Sequence, residues 1–315
     1  MKTAVIANPR ASNGAVGRNW AKHNRVVVEC FGVSDVRMSQ GPRDATRLVR
    51  ESLAEGYERI VVVGGDGTVN EAVNGFFADD GTAIAPDVPL AYLPAGTGGD
   101  FARSIGLSGV DLRRALAAAT ARAIDVGRAT LTAHDGSEIT RYFVNISSFG
   151  SSGLIVDKVN RTTKMLGGKA SFAIGAVKGL ITYRNKRVRL TVDDLLDEEM
   201  RINTVAVANG RFFGGSMKVA PRAIVDDGEL DVITIGDLTP YESITQLPKI
   251  YAGTHIASPK VRELRGKVIT ATPVDSDVLI DLDGEQPGKL PVRYEVMPKA
   301  LQLLAPWESA VAALR

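Results

Sequence analysis

Residues 60–75 read Ile60-Val61-Val62-Val63-Gly64-Gly65-Asp66-Gly67-Thr68-Val69-Asn70-Glu71-Ala72-Val73-Asn74-Gly75. Four consecutive β-formers suit a strand buried on both faces of a parallel sheet, and the glycines that follow let the chain turn through φ values that other residues resist. The turn opens a helix. Backbone N–H groups at such a start point outward and, with the helix dipole, make a place for phosphate oxygens, while the absent Cβ atoms let a nucleotide come close. Gly-Asp-Gly is also a common tight turn, so on spacing alone phosphate binding and a plain turn stand level. No GxxxxGK[ST] occurs, and neither Gly65-Asp66-Gly67 nor Gly96-Thr97-Gly98 completes a GxGxxG. A P-loop enzyme and a simple dinucleotide fold are excluded.

Outward from this stretch, short apolar runs alternate with helical patterns, as in a parallel sheet covered by helices. Thr3–Ala7, Arg25–Glu29, Ile60–Val63 and Leu90–Leu93 read as strands. Ala45, Leu48, Val49 and Leu53 recur at helical spacing within Arg43–Glu55, and the segment Asp111–Arg122 reads as another helix. Beyond Ile124-Asp125-Val126-Gly127 the texture changes. Ala129–Ala133, Tyr142–Ser147, Val188–Val192, Thr204–Asn209, Leu230–Ile235, Lys267–Ala271 and Val278–Leu282 are β-like runs divided by Gly, Asp and Pro. They predict an antiparallel sandwich or barrel, interrupted by helices around Ala170–Tyr183 and Tyr241–Tyr251. The 315 residues exceed one domain of about 100–200. The expectation is an N-terminal three-layer α/β nucleotide-binding domain, residues 1–126, and a C-terminal antiparallel β-sandwich, residues 127–300, with a site in the cleft between them.

Two further loops repeat the strand-to-glycine theme. Leu90-Ala91-Tyr92-Leu93-Pro94-Ala95-Gly96-Thr97-Gly98-Gly99-Asp100-Phe101-Ala102-Arg103 again sets small residues and a hydroxyl at the carboxyl end of a parallel strand, where open α/β sheets bind ligands. Asn8-Pro9-Arg10-Ala11-Ser12-Asn13-Gly14 does the same after the first strand.

GGDGT followed by PxGTxxDFAR, with an Asn-Pro first loop, resembles the diacylglycerol kinase catalytic domain shared with sphingosine and ceramide kinases. NAD kinases and phosphofructokinases carry relatives of GGDGT, whereas the PxGT turn narrows the field to lipid kinases. Gly99 departs from the pattern, which has Asn there, so a polar contact is absent or replaced by backbone or water. The resemblance continues in Ala220-Pro221-Arg222-Ala223-Ile224-Val225-Asp226-Asp227-Gly228-Glu229-Leu230-Asp231-Val232, similar to the family's APxAxxDDGxLDV segment, and in Asp283-Gly284-Glu285, similar to its DGE motif. It spans Asn8 to Pro306 and implies that the segment from Leu301 onward, 301–315, returns to the first domain.

That resemblance implies an ATP-dependent kinase with Mg²⁺, most naturally converting diacylglycerol to phosphatidic acid. It assigns Glu285 as the general base for the lipid hydroxyl and Asp66 as the residue orienting the nucleotide's Mg²⁺ or its water shell. Nucleotide contacts carry over to Asn8, Pro9, Arg10, Ala11, Ser12, Ser39, Gly65, Asp66, Gly67, Thr68, Asn70, Glu71 and Thr97. A structural Mg²⁺ carries over to Asp227 through its carboxylate and to Ile224 and Glu229 through main-chain carbonyls, oxygen ligands that suit the ion. Without the family the Asp227 segment reads as a β-turn and Glu285 as the solvent-facing acid of a hairpin. In that hairpin Ile280 and Leu282 alternate with Asp281 and Asp283. Other lipid acceptors (a sphingoid base, ceramide, phosphatidylglycerol), a soluble acceptor such as NAD, and a binding protein weakened at Gly99 are the competing readings.

Composition narrows the setting. The single cysteine, Cys30, excludes an internal disulfide framework, and the scattered His23, His134 and His255 show no metal-ligand spacing. MKTAVIANPR turns polar too soon for a signal peptide, and the longest charge-free run, Tyr142–Val156, falls short of the roughly 20 apolar residues of a membrane span. A net charge of +2 speaks against nucleic acid. The basic run from Lys158 to Arg189, followed by DDLLDEE, reads as a solvated face, with an anionic-membrane contact as the alternative. A cytoplasmic enzyme visiting the inner membrane surface is expected, and an edge strand of the sandwich could pair two copies into a homodimer.

Overall fold

The computed structural model describes residues 1–95, 99–152 and 183–307. Thr97, the expected helix Ala170–Tyr183 up to residue 182 and the basic residues from Lys158 to Lys178 lie outside the described residues. The first half comprises β1 (Thr3–Ala7), α1 (Ala11–Arg18), α2 (Trp20–Phe31), β2 (Asp35–Met38), α3 (Asp44–Ala54), β3 (Arg59–Gly64), α4 (Asp66–Asn74), β4 (Leu90–Pro94), α5 (Asp100–Ser104) and α6 (Leu112–Ala117). The strands lie in the parallel order β4-β3-β1-β2. Ala4–Ala7 and Ile60–Val63 are fully buried, which explains the unbroken apolar runs. From β1 the chain steps one way to β2, then back across β1 to β3 and β4. Right-handed crossovers therefore put α1 and α2 on one face and α3 and α4 on the other, with the loops after β1 and β3 diverging at a topological switch point.

Arg25–Glu29 is not a strand; it lies inside α2. Its three valines suit β-structure, but Trp20, Val27, Cys30 and Phe31 recur at helical spacing against the core while Val28 faces solvent. The sheet position goes to the more polar edge strand Asp35–Met38. The helix expected to reach Arg122 stops at Ala117. From Thr120 the chain pairs as a strand instead, Arg122 opposite Leu303 and Thr120 opposite Ala305.

That strand is β5 (Thr120–Ala133), and the second half continues with β6 (Glu138–Phe143), β7 (Ile146–Gly150), β8 (Lys186–Val192), β9 (Leu196–Ile202), β10 (Thr204–Ala208), β11 (Leu230–Ile235), α7 (Pro240–Ala252), β12 (Val261–Gly266), β13 (Val268–Pro273), β14 (Leu279–Leu282) and β15 (Glu285–Ala305). Pairing here is antiparallel, packed around a core that includes Phe143, Phe149, Val207, Ile280 and Tyr294. β5 and β15 run side by side on both sides of residues 126 and 300, with a bulge between Met297, opposite Val126, and Leu301, opposite Ile124. β15 then lies parallel to β4, Leu303 opposite Leu90, so one continuous sheet joins the two halves. The described end of the basic run pairs across the β8–β9 hairpin, Arg187 with Glu199 at 3.1 Å and Arg189 with Asp197 at 2.7 Å. No helix among the described residues is long and apolar enough to cross a membrane.

Candidate active site

The turn after β3 is built by steric fit. A methyl group at Gly64 would come within 2.6 Å of Thr68 Oγ1, and one at Gly75 within 2.7 Å of Val49, so α4 sits tightly on β3 and α3. Gly67 is different: its added methyl would stand 3.8 Å from Glu285 Oε1, in open contact distance. The glycine turn and the distant DGE segment therefore meet at the start of α4.

Asp66 is tied across the turn. Its carboxylate accepts the N–H groups of Asp100 at 3.0 Å and Phe101 at 3.4 Å, covering the start of α5. The Asp100 carboxylate in turn accepts from Gly215 N at 2.8 Å and Ser216 N at 2.7 Å, in the second half of the chain. Burial pushes the Asp66 pKa up and the neighbouring Asp100 charge adds to this, while the N–H donors oppose it. On β1's side, Asn8 Nδ2 donates to Thr68 Oγ1 at 3.2 Å and Asn8 Oδ1 accepts from Arg10 N at 3.0 Å. Pro9 and Ala11 follow in the same turn, and Ser12, Asn13 and Gly14 all take left-handed φ values of 54°, 55° and 79°. Ser39 is buried beside β1, its N–H donating to Ala7 O at 2.8 Å. Gly65 caps α4, and Glu71 on that helix accepts the Ala45 N–H at the start of α3.

Asn70 links the halves, donating through Nδ2 to Tyr142 O at 2.9 Å and to Asp283 Oδ2 at 3.0 Å. Asp283 also accepts the N–H groups of Ile146 at 2.8 Å and Val144 at 3.3 Å. These bonds break the expected strand Tyr142–Ser147 into β6 and β7. Asp283 and Gly284 have φ of 48° and 87°, both left-handed as a type I′ hairpin demands, and Glu285 pairs with Leu282 across the turn. Asp281 is buried, accepting from Gly284 N at 2.9 Å, and burial pushes its pKa up to about 8. Glu285 is the acid left open to solvent at the mouth, with protein packed around its other sides. That enclosure and the Glu71 charge push its pKa up, while Arg141 and Arg43 pull it down.

The segment expected to hold a structural Mg²⁺ is arranged otherwise. Asp227 Oδ1 accepts the Glu229 N–H at 3.3 Å and its Oδ2 is engaged by Arg265. Arg265 Nη1 lies 3.0 Å from Glu229 Oε2, its Nε lies 3.9 Å from buried Asp231, and the Ile224 side chain is half exposed. Both oxygens of the one expected carboxylate ligand are hydrogen-bonded and a guanidinium stands among the acids, so an ion bound through Asp227 would have to displace Arg265.

Sequence reasoning gave Asp283, Asp125 and Arg265 no role. Asp125 is fully buried and accepts Gly228 N at 2.6 Å and Lys299 N at 2.8 Å, locking the 225–229 segment to β15. Its signal was visible as a lone acid between Ile124 and Val126. Arg265 carried none, because its acids come from a segment that only strand pairing brings opposite it, Asp231 facing Arg265.

Comparison with known proteins follows the same two halves. Residues 2–129 match the diacylglycerol kinase catalytic domain, and residues 145–305 match the YegS C-terminal NAD kinase beta sandwich-like domain. The chain belongs to the diacylglycerol kinase and YegS-like family of lipid kinases. It is 27% identical to the diacylglycerol kinase of Mycobacterium tuberculosis over 97% of this chain and 95% of that protein. It is 31% identical to the "probable lipid kinase YegS-like" of Chromohalobacter salexigens over 88% and 85%. A diacylglycerol kinase crystal structure from Bacillus anthracis shares the fold, with a TM-score of 0.67 at 21% identity over 96% of each chain. The yeast NADH kinase in complex with NADH is more distant, at a TM-score of 0.55 and 13% identity over 99% of this chain and 86% of that one. The lipid kinase is thus a phosphotransferase whose expected base and nucleotide turn meet at Gly67.

Proposed function

We propose that the enzyme transfers the γ-phosphoryl group of Mg·ATP to the hydroxyl of diacylglycerol, giving phosphatidic acid. The observation that carries this reading is the Glu285 carboxylate standing beside Gly67 at the start of α4. ATP would lay its phosphates over the N–H groups at the Gly65–Gly67 end of the turn, beside Thr68 and flanked by the loop from Asn8 to Ser12, Ser39, Asn70, Glu71 and Thr97. Mg²⁺ arrives with the nucleotide as part of the substrate, and Asp66 orients the ion or its water shell. The lipid oxygen forms its bond to the γ-phosphorus as its proton passes to Glu285, and the bond from that phosphorus to the bridging oxygen breaks to release ADP. Arg43 and Arg141 add positive charge near this carboxylate. Phosphoryl transfer needs mainly alignment and charge neutralisation, which these groups supply. On this reading residues 1–126 with 301–315 form the nucleotide unit and 127–300 the acceptor unit, working on the cytoplasmic leaflet.

The test is transfer of ³²P from γ-labelled ATP into vesicles holding diacylglycerol, monoacylglycerol, ceramide, sphingosine or phosphatidylglycerol, with NAD as a soluble comparison. Labelled phosphatidic acid that falls by about 10²–10⁴ in Glu285→Gln, with ATP binding retained, is expected. Label on NAD alone, or turnover unchanged in the variant, would overturn the reading.

A further inference from the structure

A cavity of about 720 Å³ opens at the foot of α7, lined among others by Tyr183, Arg184, Arg201, Asp237 and Pro240. Tyr183 Oη is buried with no hydrogen-bond partner. Among the described residues neither Arg184 nor Arg201 pairs with a carboxylate, although Arg187 and Arg189 in the same hairpin do. Asp237, the acid in this lining, is turned to Asn185, whose Nδ2 donates to its Oδ1 at 2.6 Å. Two guanidinium groups without a carboxylate partner among the described residues suit a ligand with several anionic oxygens, above all a phosphate ester.

α7 begins at the edge of this cavity, where Pro240 belongs to both. Its outer side carries Tyr241, Ile244, Pro248 and Tyr251, spaced three, four and three residues apart on one stripe, with Tyr241 76% and Tyr251 51% exposed. Lys249 is exposed beside it. The helix is held in shape by a Thr239–Glu242 capping box and a left-handed Gly253. Tyrosines with an apolar body and a wet hydroxyl, on a rigid helix with a cation alongside, suit the boundary between lipid headgroups and acyl chains. The main chain of α7 is also joined to the loop that holds Asp100. Lys218 N–H donates to Ile250 O at 3.0 Å, and Gly215 and Ser216 in the same loop hold Asp100.

Building on the lipid-kinase reading, we propose that this face docks on a bilayer, the cavity taking the phosphate-bearing headgroup of an anionic phospholipid while the α7 stripe lies in the interface. A site for free phosphate alone would leave the adjoining apolar stripe without a role. The experiment is co-sedimentation with vesicles of phosphatidylcholine alone and of phosphatidylcholine mixed with phosphatidylglycerol, using wild type, Tyr241→Ser/Tyr251→Ser and Arg184→Ser/Arg201→Ser. The arginine pair should lose about 20- to 30-fold in binding to the anionic vesicles only. The tyrosine pair should lose about tenfold on both, and turnover of a short-chain diacylglycerol below its aggregation limit should stay within about twofold in each variant. Salt added to the wild type must release it from the anionic vesicles, which keeps the test open if an arginine variant fails to fold. Unchanged vesicle binding in both variants overturns the proposal, as does inorganic phosphate protecting the wild type against heat as well as the vesicles do. Vesicle binding lost as expected, with no lipid phosphorylated by the wild type, would keep the docking face and sink the kinase reading instead.

Discussion

As the proposed base Glu285 would have to be ionised to take the proton of the acceptor hydroxyl, and partial enclosure together with Glu71 raises its pKa. kcat/KM should therefore fall as pH drops through that raised value, and Glu285→Gln should abolish this limb of the profile. Asp281 gives the matching stability statement. Its carboxyl holds its proton up to about pH 8 when folded, against about 4 when unfolded. The folded state thus binds the proton more tightly, so this contribution is full below about pH 4 and is lost as pH rises through about 8. Thermal unfolding of the wild type should come at lower temperature at pH 9 than at pH 6, and Asp281→Asn should flatten that slope. An equal slope in the variant would assign it to other groups. The alternation Ile280, Asp281, Leu282, Asp283 was legible as a strand ending in a turn. That both aspartates turn inward to backbone N–H groups was not, because their donors at Ile146 and Gly284 are set by pairing remote in sequence or by the turn's own φ values.

The helix α4 and its turn separate structural glycine from functional glycine. Gly64→Ala forces a methyl into Thr68 at 2.6 Å and should cost about 1–3 kcal/mol of stability by chemical denaturation. Gly67→Ala meets nothing closer than Glu285 at 3.8 Å, so it should keep its Tm yet weaken ATP binding or turnover, read as KM and kcat. Equal losses of stability at the two positions would contradict this division. At this scale the strands β1, β3 and β4 were readable from their uninterrupted apolar runs, since burial on both faces leaves no other composition. α2 was misread because three valines in a row outweighed a helical stripe of Trp20, Val27 and Phe31 that becomes visible only when the window is widened. The 225–229 segment was read through the family's metal, while Arg265, opposite Asp231 on β12, reaches Asp227 and Glu229. Unfolding temperature should accordingly be the same in Mg²⁺ and in chelator, with no ion carried through gel filtration; a fall of Tm in chelator would restore the metal.

Across the whole molecule, β5 and β15 belong to both halves, with Leu301 and Leu303 in the first core and Val292 and Tyr294 in the second. Heat or denaturant should therefore unfold the chain in one transition, seen alike by Trp fluorescence and far-ultraviolet circular dichroism. A fragment 1–126 should fail to fold alone because β4 lacks its partner at Leu303 and Leu304. Two resolved transitions, or a folded fragment, would count against it. The same pairing has a meaning for the newborn chain. When Leu90 leaves the ribosome its sheet partner Leu303 has not been made, and at roughly 5–20 residues per second the delay is on the order of 10–40 s. For that interval the nascent chain carries an open β-edge and an unfinished core, so chaperone dependence and aggregation should concentrate in polypeptides arrested before the last strand is synthesised.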